Sequence, residues 1–270
     1  MRIKGYRKNV LEFDITYNCN LKCNSCTRRC DLLPGGTDAT PAQLENVLTA
    51  ADDLGHKFNL VILMGGEPTL HPQFLDFVRI LNVYHKKHPW ARAMVVTNYA
   101  EVSSRILVDK KLPQFFEVRR ASKDGTQRHS TKPYKYWTMN VAPIDFPEFS
   151  GMDFSIACMQ QGRCGIQYSH HHGFFACPMA GGIERAFKFG SGVPTLKLIL
   201  DDEVIKDQLR KLCGYCGRFR VKYGYFMGKP LETTFATEEQ KQLFRAGLKT
   251  YPLKSGREML SASWKKVLGK

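Results

Sequence analysis

Between residues 10 and 119 the chain alternates short strand-forming runs with longer stretches of helical periodicity. Val10–Tyr17 is rich in strand formers and alternates in polarity, so it reads as a strand. Thr40 offers an N-cap and Pro41 a first helical residue; Leu44, Val47, Leu48, Ala51 and Leu54 then recur on one helical face until Gly55. Asn59–Met64 is a continuous apolar run, as expected of a strand buried on both faces. Pro72 opens a second helix with Phe74, Phe77, Val78, Leu81 and Tyr84 on one face, ending near Pro89. Ala93–Thr97 is a third strand, Ser103–Lys110 a short helix and Phe115–Arg119 a fourth strand. This order predicts an α/β fold of parallel strands joined by right-handed crossovers. In such folds function collects at the C-terminal ends of the strands. The chemically loaded segments fall there: cysteines after the first strand, Gly65–Pro68 after the second, Thr97–Asn98 after the third and Ser122–Gly125 after the fourth.

The pattern breaks around Pro143–Pro147, which divides the chain into 1–147, a Gly-, His- and Cys-rich 148–230, and a C-terminal helical segment 231–270. Within the second, Gly165–Ser169, His170–Gly173 and Phe174–Ala176 read as a β-hairpin. Thr237 and Gln240 form a capping box for a last helix. With 43% hydrophobic and 24% charged residues the chain reads as globular and soluble. No apolar run reaches the roughly 18 residues that span a bilayer, and Met1–Lys4 leads into no signal-like stretch, so a cytoplasmic protein with no membrane partner is expected. The net charge is +15, with basic clusters at Arg28–Arg29, Lys110–Lys111, Arg119–Arg120 and the tail. A solvated basic surface accounts for it, with an anionic substrate or an acidic electron donor as rivals. Nucleic acid is not an expected partner, because no nucleic-acid-binding motif accompanies the charge.

Nine cysteines are many for a reducing compartment, where disulfides are rare, and their tight spacing favours metal or cluster ligation. Cys19, Cys23 and Cys26 are spaced C-x3-C-x2-C on one loop. Three thiolates can hold three corners of a cubane and leave a fourth iron open, whereas a zinc site would recruit a fourth ligand such as Cys30. Otherwise Cys30 reads as a buried thiol. Met64-Gly-Gly-Glu-Pro68 follows a buried strand directly: two glycines permit a close backbone approach to a ligand, and Glu67 offers a carboxylate to a cationic group.

Together, residues 8–125 resemble the radical S-adenosylmethionine superfamily. The resemblance implies a partial (β/α)6 barrel and a 4Fe-4S cluster on Cys19, Cys23 and Cys26. Its unique iron would bind the amino and carboxylate groups of S-adenosylmethionine. Gly65, Gly66 and Glu67 match the motif that holds the methionyl amino group. Thr97 and Asn98 match a strand end near the ribose and carboxylate. Ser122-Lys-Asp-Gly125 looks like a further strand-end motif, with Ser122 as the cofactor contact. Reductive cleavage would yield methionine and a 5′-deoxyadenosyl radical that abstracts hydrogen from substrate. A reducing donor such as flavodoxin or ferredoxin is implied. The family usually has an aromatic residue before the third cysteine; this chain has Ser25.

Cys158, Cys164, Cys177, Cys213 and Cys216 resemble the twitch module, a shortened SPASM-like domain. That implies a small α+β domain with an auxiliary 4Fe-4S cluster on Cys177, Cys213, Cys216 and either Cys158 or Cys164. A zinc knuckle is the rival. His170–His172 read as a polar turn or substrate contact, because consecutive strand residues point to opposite faces. Arg120, Lys123, Tyr134, Tyr136, Trp137, Glu184 and Arg185 are substrate candidates, and Gly181–Arg185 could cradle an anion. The size and layout resemble short dehydrogenases of aminocyclitol biosynthesis, which implies oxidation of a small polar metabolite. Peptide modification or epimerisation is the rival within the chemistry. A non-catalytic metal-binding nucleic-acid protein is the rival outside it.

Overall fold

The protein is described by a computed structural model over residues 7–22, 26–120, 142–145, 154–156, 165–216 and 262–269. The strands are β1 (Arg7–Thr16), β2 (Leu60–Gly65), β3 (Arg92–Thr97), β4 (Phe116–Arg120), β5 (Gly165–Ser169) and β6 (Gly173–Phe175). Helices α1 (Pro41–Asp53), α2 (Phe74–Lys87) and α3 (Val102–Lys111) connect the first four strands. Beyond β6 come α4 (Pro178–Phe187), α5 (Leu196–Ile199), α6 (Asp202–Cys213) and α7 (Ala262–Leu268).

Local signals explain most of these elements. At the start of α1 the Gln43 side chain accepts a hydrogen bond from Thr40 N (2.9 Å), and Gly55 past its end has φ of 63°. The apolar face of α1 (Leu44, Val47, Leu48, Ala51) and that of α2 (Phe74, Phe77, Val78, Leu81, Tyr84) meet Leu11, Phe13, Ile15, Val61, Leu63, Ala93 and Val95 in one core. By the two-residue period of a strand, Glu12, Asp14 and Thr16 therefore face the other side of the sheet.

The sheet order is β4-β3-β2-β1-β5-β6. Neighbours pair in parallel from β4 through β5, and β6 closes an antiparallel hairpin on β5. The fold is therefore α/β with a mainly parallel sheet, and the ends of β1 to β4 lie along one edge, as expected. One feature departs from a simple sequential barrel. Strand β5 does not continue beyond β4 but pairs with the opposite side of β1, Leu11 opposite Ile166 and Asp14 opposite Ser169. The hairpin of the second cysteine-rich segment thus shares a sheet with the first four strands. Helix α6 is tied to it by Gln208, whose side chain accepts from Ala176 N (2.6 Å) and donates to Phe174 O (3.1 Å). In α7, Ser263 bonds Asp145 through both its N–H and its hydroxyl. The helix expected from Thr237 lies outside the described residues.

Candidate metal and cofactor site

Strand β1 delivers the chain into the first cysteine loop, and the end of β2 lies directly against it. Gly66 N donates to Thr16 O (2.7 Å) and Glu67 N to Asn18 O (2.9 Å). Gly65 has φ of 142°, and a Cβ there would sit 1.9 Å from Thr16 O; a Cβ on Gly66 would sit 2.1 Å from Asn18 O. Both positions therefore require glycine because backbone meets backbone. The close approach read from sequence is present, but its partner is the root of the cysteine loop.

Glu67 is fully buried. Its Oε1 accepts from Thr69 N (3.2 Å), Thr69 Oγ1 (2.7 Å) and Thr97 Oγ1 (2.7 Å), and its Oε2 accepts from Asn98 N (2.6 Å). Through these bonds the carboxylate ties the end of β2 to the end of β3. A charged acceptor bonded by several donors is among the stronger polar contacts a protein makes. What the strand edge can present to a ligand here is the backbone around Gly65–Glu67. Thr97 likewise uses its hydroxyl internally, accepting also from Tyr99 N (3.0 Å). Asn98 keeps its amide at the loop: Nδ2 donates to Asn20 Oδ1 (2.7 Å), and Oδ1 accepts from Ala100 N (2.9 Å).

The loop is held at several points. Asp38 accepts from Thr16 Oγ1 (2.6 Å) and Asn18 Nδ2 (3.1 Å), and Asn20 donates to Glu101 (2.9 Å). Cys19 and Cys26 lie on this tethered stretch, both half-buried, and Cys23 lies outside the described residues. The Cys26 thiol is pulled down from its ordinary value, chiefly by a hydrogen bond from the Cys30 thiol. Cys30 is correspondingly pushed up, and its N–H also points at Cys26 Sγ (3.4 Å). Thiolates are the form in which cysteines ligate soft metal ions. The donors present fit an iron–sulfur cluster at Cys19 and Cys26.

Arg28 and Arg29 correct the reading of the basic clusters. Neither is solvated; their exposures are 3% and 0%. Arg28 pairs with Glu12 (2.7 Å) and Asp14 (3.1 Å). Burial opposes its charge, but these carboxylates hold its pKa above the usual range. Asp14 also accepts from Gln167, while Tyr17 Oη lies 3.1 Å from Asp14 and 2.8 Å from Ser169. Burial, reinforced by Asp14, keeps that phenol protonated. This network joins β1, β5 and the cysteine loop across the polar side of the sheet. Arg29 has φ of 60°, a left-handed conformation costing a non-glycine residue about 1–2 kcal/mol, and its Nη1 donates to Cys26 O (3.1 Å). Sequence reasoning missed the network. Its signal was Glu12, Asp14 and Thr16 alternating through a strand whose intervening positions are apolar.

Helix α4 connects the second cysteine set to the first. Cys177 is its N-cap. Gly182 packs so closely on the segment after Cys26 that a Cβ would sit 2.2 Å from Thr27 O, and a Cβ on Gly181 would sit 2.3 Å from Gln167 Oε1. Arg185 donates to Arg28 O and to Pro34 O (2.7 Å), and its guanidinium lies 3.7 Å from the Tyr17 ring centroid. Glu184 accepts from Gly190 N (2.9 Å) and Ser191 N (3.0 Å). The anion cradle expected at Gly181–Arg185 is thus a buried helix whose polar side chains are engaged within the protein.

Cys177 and Cys216 share one apolar cluster with Leu32 and Leu33 of the first loop, whereas Cys213 packs against the main core. Among the described residues no three His, Cys, Asp or Glu side chains converge as metal ligands, in either cysteine set. Cys158 and Cys164 lie outside the described residues, as do Ser122, Lys123, Tyr134, Tyr136 and Trp137. His170 stacks on Tyr17 (5.1 Å) with Nε2 2.6 Å from Thr37 O, and His171 Nε2 lies 3.1 Å from Thr37 Oγ1, so this turn docks on the loop before α1. Arg120, at the end of β4, pairs with Asp109 (3.0 Å) and lies over the Tyr99 ring (4.2 Å).

Residues 13–118 match the Radical SAM superfamily profile. A probable GTP 3′,8-cyclase of Pyrococcus horikoshii is 38% identical over 74 residues, which are 27% of this chain and 23% of that protein. The chain thus spans less than a quarter of the length of that curated relative. A solved structure of BtrN in complex with AdoMet and 2-DOIA aligns with 81% of this chain and 88% of its own, at 13% identity and a TM-score of 0.41. Streptococcus suis SuiB bound to S-adenosylmethionine aligns with 42% of this chain and 24% of its own, at 17% identity and a TM-score of 0.33.

Proposed function

This chain belongs to the radical S-adenosylmethionine superfamily through residues 13–118, an enzyme family working with a 4Fe-4S cluster and S-adenosylmethionine, and we propose that it uses them to abstract hydrogen from a small polar metabolite and oxidise it. The observation that supports the placement of the chemistry is the cysteine loop moored to the ends of β2 and β3 through Asn18, Asn20, Glu67 and Asn98. In this reading Cys19, Cys23 and Cys26 hold the cluster. When bound, it supplies the electron that cleaves the cofactor to methionine and a 5′-deoxyadenosyl radical. A flavodoxin- or ferredoxin-like protein is the proposed donor of that electron.

The chain's own groups do the positioning. The backbone of Gly65–Glu67 faces the methionyl amino group, Asn98 and Ser122 contact the remainder of the cofactor, and Glu67 fixes the relative position of the two strand ends. Asn98 and Asn20 hold the loop that carries Cys19. The finer part of the proposal is two-electron oxidation of the substrate, which loses a hydrogen atom, an electron and a proton. The C-x2-C spacing of Cys213 and Cys216, with Cys177 packed against the same apolar cluster as Cys216, supports a second metal site as electron acceptor.

Anaerobic reconstitution tests both levels. The wild-type chain is expected to bind about eight irons for two cubanes and to form 5′-deoxyadenosine under reduction. Replacing Cys19 and Cys26 by Ala should abolish that formation. Replacing Cys213 and Cys216 by Ala should leave it intact and remove the oxidised product. Zinc without cofactor cleavage in the wild type overturns the enzyme reading; normal oxidised product from the second double variant overturns the acceptor role.

A further inference from the structure

Arg29 is a fully buried arginine directly beside the candidate ligands. Its left-handed backbone turns the side chain inward, where Nη1 donates to the carbonyl of Cys26. Leu32 N and Leu33 N donate to Arg29 O (3.1 and 2.9 Å), and the side chains of those two leucines enter the apolar cluster that contains Cys177 and Cys216. The residue therefore stands where the two cysteine groups meet. Burial works against its charge, but an arginine guanidinium keeps its proton in proteins. A buried cation persists only where negative charge faces it.

We propose that Arg29 is a fixed positive charge beside the first cysteine loop, acting as a positioning residue that favours an added electron on a cluster held by that loop. The assignment rests on the cluster reading of Cys19, Cys23 and Cys26. Reduction of a cluster adds one electron and raises its negative charge by one; a desolvated cation close by stabilises the reduced state. Arg29 touches neither substrate nor cofactor in this assignment.

The test uses the full-length chain, reconstituted anaerobically, with iron content measured and the cluster perturbed by S-adenosylmethionine followed by electron paramagnetic resonance during a redox titration. Arg29→Gln is expected to bind wild-type iron with a more negative midpoint potential, and Arg29→Lys to stay near the wild-type midpoint. Arg29→Gln with wild-type iron and an unshifted midpoint overturns the proposal. Should Arg29→Gln lose its iron, Arg29→Lys decides: full iron with a wild-type midpoint supports a requirement for charge, and loss of iron there too overturns it. A wild-type chain without iron overturns the functional reading and this assignment with it, whereas shifts missing only in the variants overturn this assignment alone.

Discussion

Glu67 commits both of its oxygens to Thr69, Thr97 and Asn98. Glu67→Gln leaves the shape nearly unchanged but places an amide where only donors approach. A buried donor left without an acceptor costs about 1–3 kcal/mol, and the charge on the lost bonds adds to this. The variant is expected to lose about 2–3 kcal/mol in chemical denaturation, with S-adenosylmethionine affinity falling through displacement of Asn98. Full stability with lost affinity would instead show the carboxylate to be a direct ligand contact. The strand-end motif was legible in the sequence, yet the aim of its carboxylate was not. Its partners come from a different strand, and only sheet pairing brings them together. Arg28–Arg29 failed for a related reason: two adjacent arginines read as surface until Glu12 and Asp14 of β1 are seen beneath Arg28 and Cys26 O is seen accepting from Arg29.

At the scale of elements, α1 to α3 and β1 to β4 follow their periodicities, with ends displaced by a few residues. The hairpin β5–β6 was equally legible, because its turn lies between two runs of strand formers. The lateral position of β5 was not, since an alternating pattern says which faces are buried and nothing about which neighbour lies alongside. Helix α4 was hidden by Gly181 and Gly182, which look like a loop. They are there because the helix touches Gln167 and Thr27. Gly182→Ala therefore sets two effects against each other. Alanine gains about 0.5–1 kcal/mol of helix propensity, but its Cβ meets Thr27 O at 2.2 Å, and such overpacking typically costs about 1–3 kcal/mol. A net loss of about 1–2 kcal/mol is expected, together with weaker iron retention at the adjoining cysteine loop. A thermal denaturation midpoint above that of the wild type would show that α4 can move away without consequence.

For the whole molecule, half-buried histidines contribute to the response to acid. Burial lowers the pKa of His170, His56 and His172. Each is held neutral in the fold and free to protonate when unfolded. The stability this contributes is present above about pH 6.5, the ordinary histidine value, and is lost as pH falls below it. The apoprotein should therefore unfold at lower urea concentration at pH 5.5 than at pH 7.5. His170→Gln should show a smaller drop, because Tyr17 and the carbonyl of Thr37 no longer face a titrating ring. An identical drop in the variant would assign the acid response to other groups. Among the described residues no helix is long and apolar enough to cross a membrane.

The sheet order also imposes a timetable. As the chain leaves the ribosome, β1 is followed by β2 on one flank, while its other flank waits for Gly165–Ser169. Until then a central strand exposes a row of unpaired amides and carbonyls, the hallmark of an aggregation-prone edge. Contacts so distant along the chain form slowly. The first cysteine loop lacks the support of Gln167, Ser169 and Arg185 over the same interval. Metal delivered to a nascent chain would meet a half-built cradle. The finished form of the first cysteine loop is thus a product of the second half of synthesis, although its cysteines are among the earliest residues made.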